Sequence, residues 1–153
     1  MTEAKLEALL AARIEALHLE GVKILRTFAV ADEGTGVNVE EPGDAATIEI
    51  TPENRSQETW ETPIYDFPLA VRLTSRTECD KTGAAHFARA DALSALFGQY
   101  CGRSGAQNAR ADFTIPGEFT PHFVSLGGGE NETDRDGGFR TWSQTVTLRG
   151  ITT

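Results

Sequence analysis

The feature that most constrains the fold is a change of hydrophobic period within residues 64–101. Apolar side chains first recur at every second position, as in a strand with one buried face; they are Phe67, Leu69, Val71 and Leu73. After a polar turn at 77–83 they recur at helical spacing; they are Ala90, Leu93, Leu96, Phe97 and Tyr100. The pattern predicts a helix over 84–100, ended by Gly102. Because both elements carry one apolar stripe, we expect the helix to pack on the strand.

A second amphipathic helix is predicted near the start of the chain, over residues 2–18. Its apolar stripe has the spacing of one helix face and consists of Leu6, Leu9, Leu10, Ile14 and Leu17. Thr2 stands where a helix N-cap is expected. Glu7, Arg13 and Glu15 fall outside the stripe, and Gly21 ends the helix.

Four further segments have the composition or the alternation of strands. They are residues 22–30, 46–51, 119–126 and 139–151. Pro121 restricts the third of them to an edge or a bulge, because proline donates no hydrogen bond to a ladder. In the last strand one face is predicted to carry Trp142, Gln144, Val146 and Leu148, and the other carries threonine and serine.

Four polar segments are predicted to be loops: residues 32–36, 52–63, 102–110 and 127–138. Trp60 is the only large apolar residue of the second loop, and we expect it to fold back on the core. Together these elements predict a single α+β domain over residues 1–153, with one mainly antiparallel sheet, two helices on one face and long loops. The uncovered face of such a sheet suits the threonines of the last strand.

The composition limits the kinds of molecule that the chain is expected to bind. The 153 residues include 23 acids and 14 bases, for a formal net charge of −9. An acidic chain repels phosphate backbones, so specific nucleic-acid binding is not expected. No apolar run reaches the roughly 20 residues that cross a bilayer. The first residues also lack the apolar block of a secretory signal, so we expect a protein of the cytoplasm without membrane contact.

The cysteines and histidines form no recognisable ligand set. Cys79 and Cys101 fall at opposite ends of the predicted helix, too far apart for a disulfide, so both are expected to be reduced. Zinc-type spacing is absent, and we expect no metal or cofactor. His86 lies on the buried stripe, which favours a core histidine. A nucleophilic pair of Cys79 and His86 near a helix N-terminus is the alternative, but no recognisable motif completes it, so an enzyme is not expected.

The acidic segment after residue 127 has some features of a calcium loop. Glu132, Asp134 and Asp136 alternate, and Gly137 follows where an EF-hand has its turn glycine. Counted from Glu132, the closing glutamate would fall at position 143, which is Ser143. The following residues also read as a strand rather than a helix. A solvated hairpin loop is therefore predicted.

The order of the predicted helices and strands is similar to that of a known protein family. An N-terminal helix, a strand and an acidic loop precede the strand at 66–74 and the helix at 84–100. The chain then closes with an acidic turn at 134–138 that leads into the strand at 142–148. In this order the chain resembles the tail terminator, or tail completion, proteins of long-tailed bacteriophages and prophages. The segments 52–63 and 102–110 depart from the compact pattern of that family.

The resemblance implies a non-catalytic assembly protein. Members of the family form rings, typically hexamers, that cap the tail tube and meet the head–tail connector. The partners implied are therefore copies of the chain itself, the tail tube protein and the connector protein, in the host cytoplasm first and then in the virion tail. The side chains implied to face the channel or a neighbouring ring are Glu130, Glu132, Asp134 and Asp136. The strands at 119–126 and 139–151 would form a hairpin that reaches a partner.

Two other functions remain open at this point. One is a different head–tail joining or tail tube component, of which a tube protein would polymerise without closing at a fixed ring. The other is a small cytoplasmic enzyme or ligand-binding domain that uses Cys79 and His86.

Overall fold

Three helices and six strands form the part of the chain that the computed structural model describes, which is residues 2–26, 46–58, 60–134 and 138–152. The helices are α1 (Thr2–Glu15), α2 (Ala84–Gly98) and α3 (Gly102–Phe113). The strands are β1 (Val22–Arg26), β2 (Ala46–Pro52), β3 (Ser56–Gln57), β4 (Ile64–Arg76), β5 (Phe119–Asp134) and β6 (Phe139–Thr152). A short 3-10 turn, Thr77–Cys79, connects β4 to α2.

The strands form one sheet in the order β1-β2-β4-β6-β5, with β3 beside β4. The pair β1–β2 is parallel, and the other pairs are antiparallel. The longest ladder runs along the whole of β4, from Ile64 opposite Ile151 to Arg76 opposite Phe139. The predicted α+β class with a mainly antiparallel sheet is therefore confirmed.

One face of the sheet carries the core. Its buried side chains come from the inward positions of β2, β4, β5 and β6, and they are Ile48, Ile50, Phe67, Leu69, Val71, Leu73, Val124, Trp142, Val146 and Leu148. The helices bury Leu6, Leu10, Ile14, Leu93, Leu96, Phe97, Ala109 and Phe113 in the same cluster. The rings of Phe97 and Trp142 stack at 6.4 Å, which joins α2 to β6. The alternation predicted for β4 and β6 is confirmed.

The third helix corrects the predicted connection at 102–110 and the expectation of two helices. Glycine, serine and asparagine make the segment a poor helix former by intrinsic propensity. Gly105, Ala109 and Phe113 are nevertheless spaced by four and buried. A Cβ on Gly105 would lie 2.2 Å from the carbonyl carbon of Tyr100, so only glycine permits this close approach. Tertiary packing therefore stabilises α3 against its local propensity.

The predicted loop at 127–138 is also wrong over most of its length, because β5 continues to Asp134. Gly128 and Gly129 have φ of 87° and 88°, where glycine alone is unstrained. The register with β6 shifts between Gly128 and Glu130. The glycines form a β-bulge that lets the strand continue, not a turn that ends it.

Helix α1 differs from its prediction in three details. It ends at Glu15, before residue 18. Thr2 lies within the helix, and its hydroxyl donates a hydrogen bond to the Glu118 carboxylate at 2.9 Å. Glu7, predicted to lie outside the apolar stripe, is fully buried, and its Oε1 lies 3.1 Å from Nε of Arg26 on β1. The helix therefore buries a wider face than its apolar stripe alone indicated.

The remaining predictions concern connections. Within 52–63, the two residues of β3 pair with Tyr65 and Asp66 of β4, so this segment is not wholly a loop. Strand β1 is described over Val22–Arg26. The rest of the predicted strand 22–30 and the loop 32–36 lie outside the described residues.

Candidate functional site

The second face of the sheet, here called the open face, is built from the outward positions of β2, β4, β6 and β5. Its side chains are half-buried or exposed and include Thr47, Glu49, Thr51, Arg72, Ser125, Thr141, Ser143, Thr145 and Thr147. They alternate with the core side chains along the same strands, as the pleat requires. The predicted polar face of β6 is thus part of a polar surface that spans four strands.

A shallow depression of about 380 Å³ lies in this open face. Its outward-facing walls include Glu49, Thr51, Ala70, Arg72, Ser143 and Thr145. Glu49 stands directly opposite Arg72, and Arg72 stands opposite Ser143. Opposed charges and hydroxyl groups provide hydrogen-bond donors and acceptors for a polar contact. The sequence signal for this surface was the alternation itself, which predicted a polar face but not a hollow in it.

Two of the four acids predicted to meet a partner lie at the edge of the open face. Glu130 pairs with Ser143 across the ladder and Glu132 with Thr141, so both point to that face. Both are exposed. Asp134 is the last residue of β5, opposite Phe139, and its side chain is not among those described. Asp136 lies outside the described residues.

Strand β5 forms one edge of the sheet. It has a single strand partner, β6, within the described residues. An edge strand presents unpaired backbone groups to which another chain can add a strand. Pro121, the bulge at Gly129 and the carboxylates of Glu130 and Glu132 all disfavour uncontrolled pairing. The edge position predicted from Pro121 is confirmed.

A bulge near Pro121 also redirects an aromatic side chain. The register with β6 shifts between Pro121 and Phe123. Val124 is consequently buried on the core face, while Phe123 is turned to the open face opposite Arg149 and is 49% exposed. A one-residue shift exchanges the two faces of a strand. Simple alternation along the sequence predicts Phe119, Pro121 and Phe123 on one face. The bulge makes this prediction wrong for Phe123.

His86 is buried in the first turns of α2, with 1% of its surface exposed. Its Nδ1 lies 2.8 Å from the hydroxyl of buried Ser75 on β4. Burial lowers the pKa of the imidazole, and the nearby Arg140 and Arg89 guanidinium groups lower it further. Asn131 and Asp80 oppose that shift. The prediction of a core histidine is confirmed, although Nε2 makes no hydrogen bond of ordinary geometry within the described residues.

The cysteines provide no activated thiol in the described part of the chain. Cys101 is a free thiol, and burial raises its pKa, which disfavours the reactive thiolate. The backbone of Cys79 ends the 3-10 turn, but its side chain lies outside what the structure describes. Asp80 beside it accepts a backbone hydrogen bond from His86 at 2.9 Å, which lowers the pKa of that carboxyl. The Asp80 carboxylate therefore supports the start of α2.

Trp60 contradicts the expectation that it folds back on the core. It is 85% exposed in the connection between β3 and β4. Composition marked Trp60 as the only large apolar group of its segment, but no sequence pattern indicated which way it points.

Neither a metal centre nor a membrane span is found in the described ranges. No group of three or more histidine, cysteine, aspartate or glutamate side chains converges there to hold a cation. None of the helices described is long and apolar enough to cross a membrane.

Comparison with known proteins does not assign the chain to a family. No protein-family model matches the chain, and no curated protein matches it significantly.

Proposed function

We propose that the chain is a subunit of a closed ring in virion assembly, a tail terminator that caps a tail tube and meets the head–tail connector. The observation that carries this proposal is the open face, a polar sheet surface bordered by the exposed edge strand β5. A sheet whose one face builds the core and whose other face is polar is suited to work by surface contact.

The order of the elements supports the same function. Helix α1, the strands β1 to β4, helix α2 and the long β5–β6 hairpin follow the order that underlies the resemblance to tail terminators. Helix α3 is an addition to that order, and it packs against β5. Strand β6 of the hairpin pairs along the whole of β4, so the same sheet carries both the edge and the open face.

Charge supports a role around a DNA channel. The chain carries a formal net charge of −9, and the exposed Glu130 and Glu132 lie together on the open face beside its edge. Like charge disfavours adsorption of DNA to the wall through which it passes. We therefore assign these two carboxylates to the channel or to the surface between rings.

The test is the assembly state of the purified chain. Sedimentation velocity over a wide concentration range, at low and high salt, should show one closed species several subunits in size. Negative-stain electron microscopy should show rings of one diameter. A chain that remains monomeric at high concentration, alone and with the tail tube protein of the same particle, contradicts the proposal.

The same images separate the alternative within the virion. A tube protein adds subunits without limit, because its head-to-tail contact does not close. Long tubes of uniform width would therefore assign the chain to the tail tube instead of its end. Neighbouring genes for capsid, connector and tube proteins would independently support the terminator.

A further inference from the structure

The start of α2 is attached to the sheet differently from the rest of that helix. From Ala90 onward, the helix buries apolar side chains in the core, and they are Ala90, Leu93, Leu96 and Phe97. Before Ala90, in a stretch that the structure describes completely, His86 is the only buried residue of the helix. The 80–87 segment, which is the turn before α2 and its first residues, is therefore held by one imidazole and by polar contacts. A segment with so little apolar burial can open locally while the rest of the fold stays intact.

The polar contacts of the 80–87 segment are made mainly with β6. Arg140 of β6 donates hydrogen bonds to the carbonyl oxygen of Asp80 and, at 3.1 Å, to that of Lys81. The Asp80 carboxylate in turn accepts a hydrogen bond from the amide of His86 at 2.9 Å. Gly83 has a φ of 81°, and a Cβ there would lie 3.2 Å from Nε of Arg140. The guanidinium group therefore holds the backbone of the segment against the end of the sheet.

The imidazole of His86 provides the contact with β4. Its Nδ1 lies 2.8 Å from the hydroxyl of Ser75, and both residues are buried. Nη1 of Arg89 lies 3.4 Å from the same hydroxyl, so a second guanidinium group is close to the ring. A charged imidazole without solvent and between cations is unfavourable, so this contact requires the neutral ring.

The groups around the imidazole come from every element that packs on it. Burial lowers the pKa of His86 most, and the guanidinium groups of Arg140 and Arg89 lower it further, whereas Asn131 of β5 and Asp80 raise it. Among the described groups that act on the ring, Asp80 is the only anion, and its carboxylate already accepts backbone hydrogen bonds. A proton on the ring would therefore be a third positive charge beside a single carboxylate.

We propose that the 80–87 segment is a pH-sensitive element that opens when His86 takes up a proton. Opening unwinds the first turn of α2, releases the carbonyl oxygens that Arg140 holds and moves the imidazole into water, where its charge is solvated. The helix from Ala90 onward and the sheet stay in place, because buried apolar side chains hold them. The proposal is independent of the proposed function, since it needs only a single chain.

The direction of the pH dependence follows from proton linkage. In the closed form the pKa of His86 is lowered, whereas the solvated ring of the open form has the ordinary value of about 6.5. Above that pH neither form binds the proton, so opening does not depend on pH. As pH falls below 6.5, the open form is protonated first, and the equilibrium constant for opening rises by at most about tenfold per pH unit. The rise ends at the pKa of the closed form.

Amide hydrogen exchange followed by NMR between pH 5 and 7.5 tests the proposal. The reporters are the amide of His86, bonded to Asp80, and the amide of Phe87, bonded to the Gly83 carbonyl at 2.9 Å. Corrected for intrinsic exchange rates, their protection should be lower than that of the β4–β6 ladder amides at each pH and should fall by up to about tenfold per unit below 6.5. Equal protection of segment and ladder means that His86 is protonated only on global unfolding, and it overturns the proposal. Protection of the segment that does not change with pH also overturns it.

Two variants and a control identify the titrating group. His86→Met should abolish the pH dependence in the segment, and His122→Gln, the matched change of an exposed histidine on β5, should leave it intact. Arg89→Gln removes one cation and keeps the bonds of Arg140, so the closed form should accept the proton at a higher pH and the total fall in protection should be smaller. A total fall that Arg89→Gln leaves unchanged overturns the electrostatic basis of the proposal.

An NMR titration of the imidazole keeps the proposal falsifiable should His86→Met fail to fold, which circular dichroism would show. In the wild-type chain the ring of His86 should titrate below 6.5, and in Arg89→Gln at a higher pH than in the wild type. A ring that titrates at or above 6.5 in the folded wild-type protein overturns the proposal. Assembly state plays no part in these measurements, so their outcome leaves the ring function to its own test.

Discussion

The two faces of the sheet share every strand and yet differ in what they do. On β4, Leu73 is fully buried, whereas its neighbour Arg72 is exposed on the open face. On β6, Trp142 and Val146 lie in the core between threonines that face outward. The core face, covered by three helices, holds the molecule together. The side chains of the open face are exposed or half-buried, so we expect them to contribute less to folding and to be available for a contact.

The largest expected effect comes from the core face. Leu73→Ala should lower the free energy of unfolding by about 3 kcal/mol, because it leaves a cavity where no solvent reaches. Arg72→Ala, one residue away on the open face, should change it by less than about 0.5 kcal/mol. Urea denaturation followed by circular dichroism measures both. Equal losses would show that the open face is also part of the core.

A smaller effect is expected from the ion pair beneath α1. Arg26→Ala leaves the Glu7 carboxylate, which is fully buried, without its cation and should cost about 2 kcal/mol. This loss of unfolding free energy lies below that of a fully buried ion pair, because the Arg26 side chain is 37% exposed and Glu7 keeps at least one further interaction. Arg13→Ala is the control, since Arg13 is 46% exposed and lies 3.7 Å from Asp112. If the two substitutions lower the free energy of unfolding equally, the burial of Glu7 does not add to the stability that its ion pair provides.

The buried imidazole of His86 predicts a dependence on pH. Its pKa is lowered in the folded protein by burial, from an ordinary value of 6.5. As pH falls below 6.5, the unfolded state takes up a proton before the folded state does, so stability decreases. The slope reaches at most about 1.4 kcal/mol per pH unit. Unfolding free energies between pH 5 and 7.5 measure it.

Two variants isolate that slope. His86→Met should remove this part of the pH dependence, because methionine does not titrate. His122→Gln, which changes an exposed histidine on β5, should leave it intact. A slope that survives in His86→Met belongs to other groups and contradicts the assignment.

The smallest effect on stability is expected at the edge of the open face. Glu130→Gln with Glu132→Gln should change the free energy of unfolding by less than about 0.5 kcal/mol, since both side chains are exposed. The same double variant should alter the salt dependence of ring formation, because it removes two charges from the proposed contact surface. Sedimentation at low and high salt measures this. A large loss of stability with unchanged assembly would place the two carboxylates in the fold and not in the contact.

Periodicity predicted the parts of the fold in which local pattern and tertiary packing agree. The alternation on β4 and β6 and the buried stripe of α2 were correct, because burial on one side leaves the same pattern in any context. The predicted bounds of that helix were wrong at its end: α2 ends at Gly98, and Gly102, predicted to end it, is the first residue of α3. Helix α3 was missed, since its glycines and polar residues favour a loop until packing at Gly105 and Phe113 is considered. The course of β5 past Gly127 was missed for a related reason, because consecutive glycines indicate a turn unless a partner strand stabilises a bulge.

The candidate site was less predictable than the fold. The position of Glu130 and Glu132 on the open face follows from strand register with β6, which depends on two bulges. The exposure of Trp60 and the burial of Glu7 depend on contacts between segments distant in the sequence. No local pattern records such contacts.

By itself, the sequence determined an acidic α+β domain in which β4 and β6 each bury one side and α2 carries one apolar stripe, because hydrophobic period is a local property with a direct physical cause. Only the tertiary structure decided that α3 is a helix, that β5 continues as a bulged edge, that Glu7 is buried against Arg26 and that Trp60 faces outward. Each of these depends on the free energy of contacts between distant segments, which outweighs local propensity wherever the two differ.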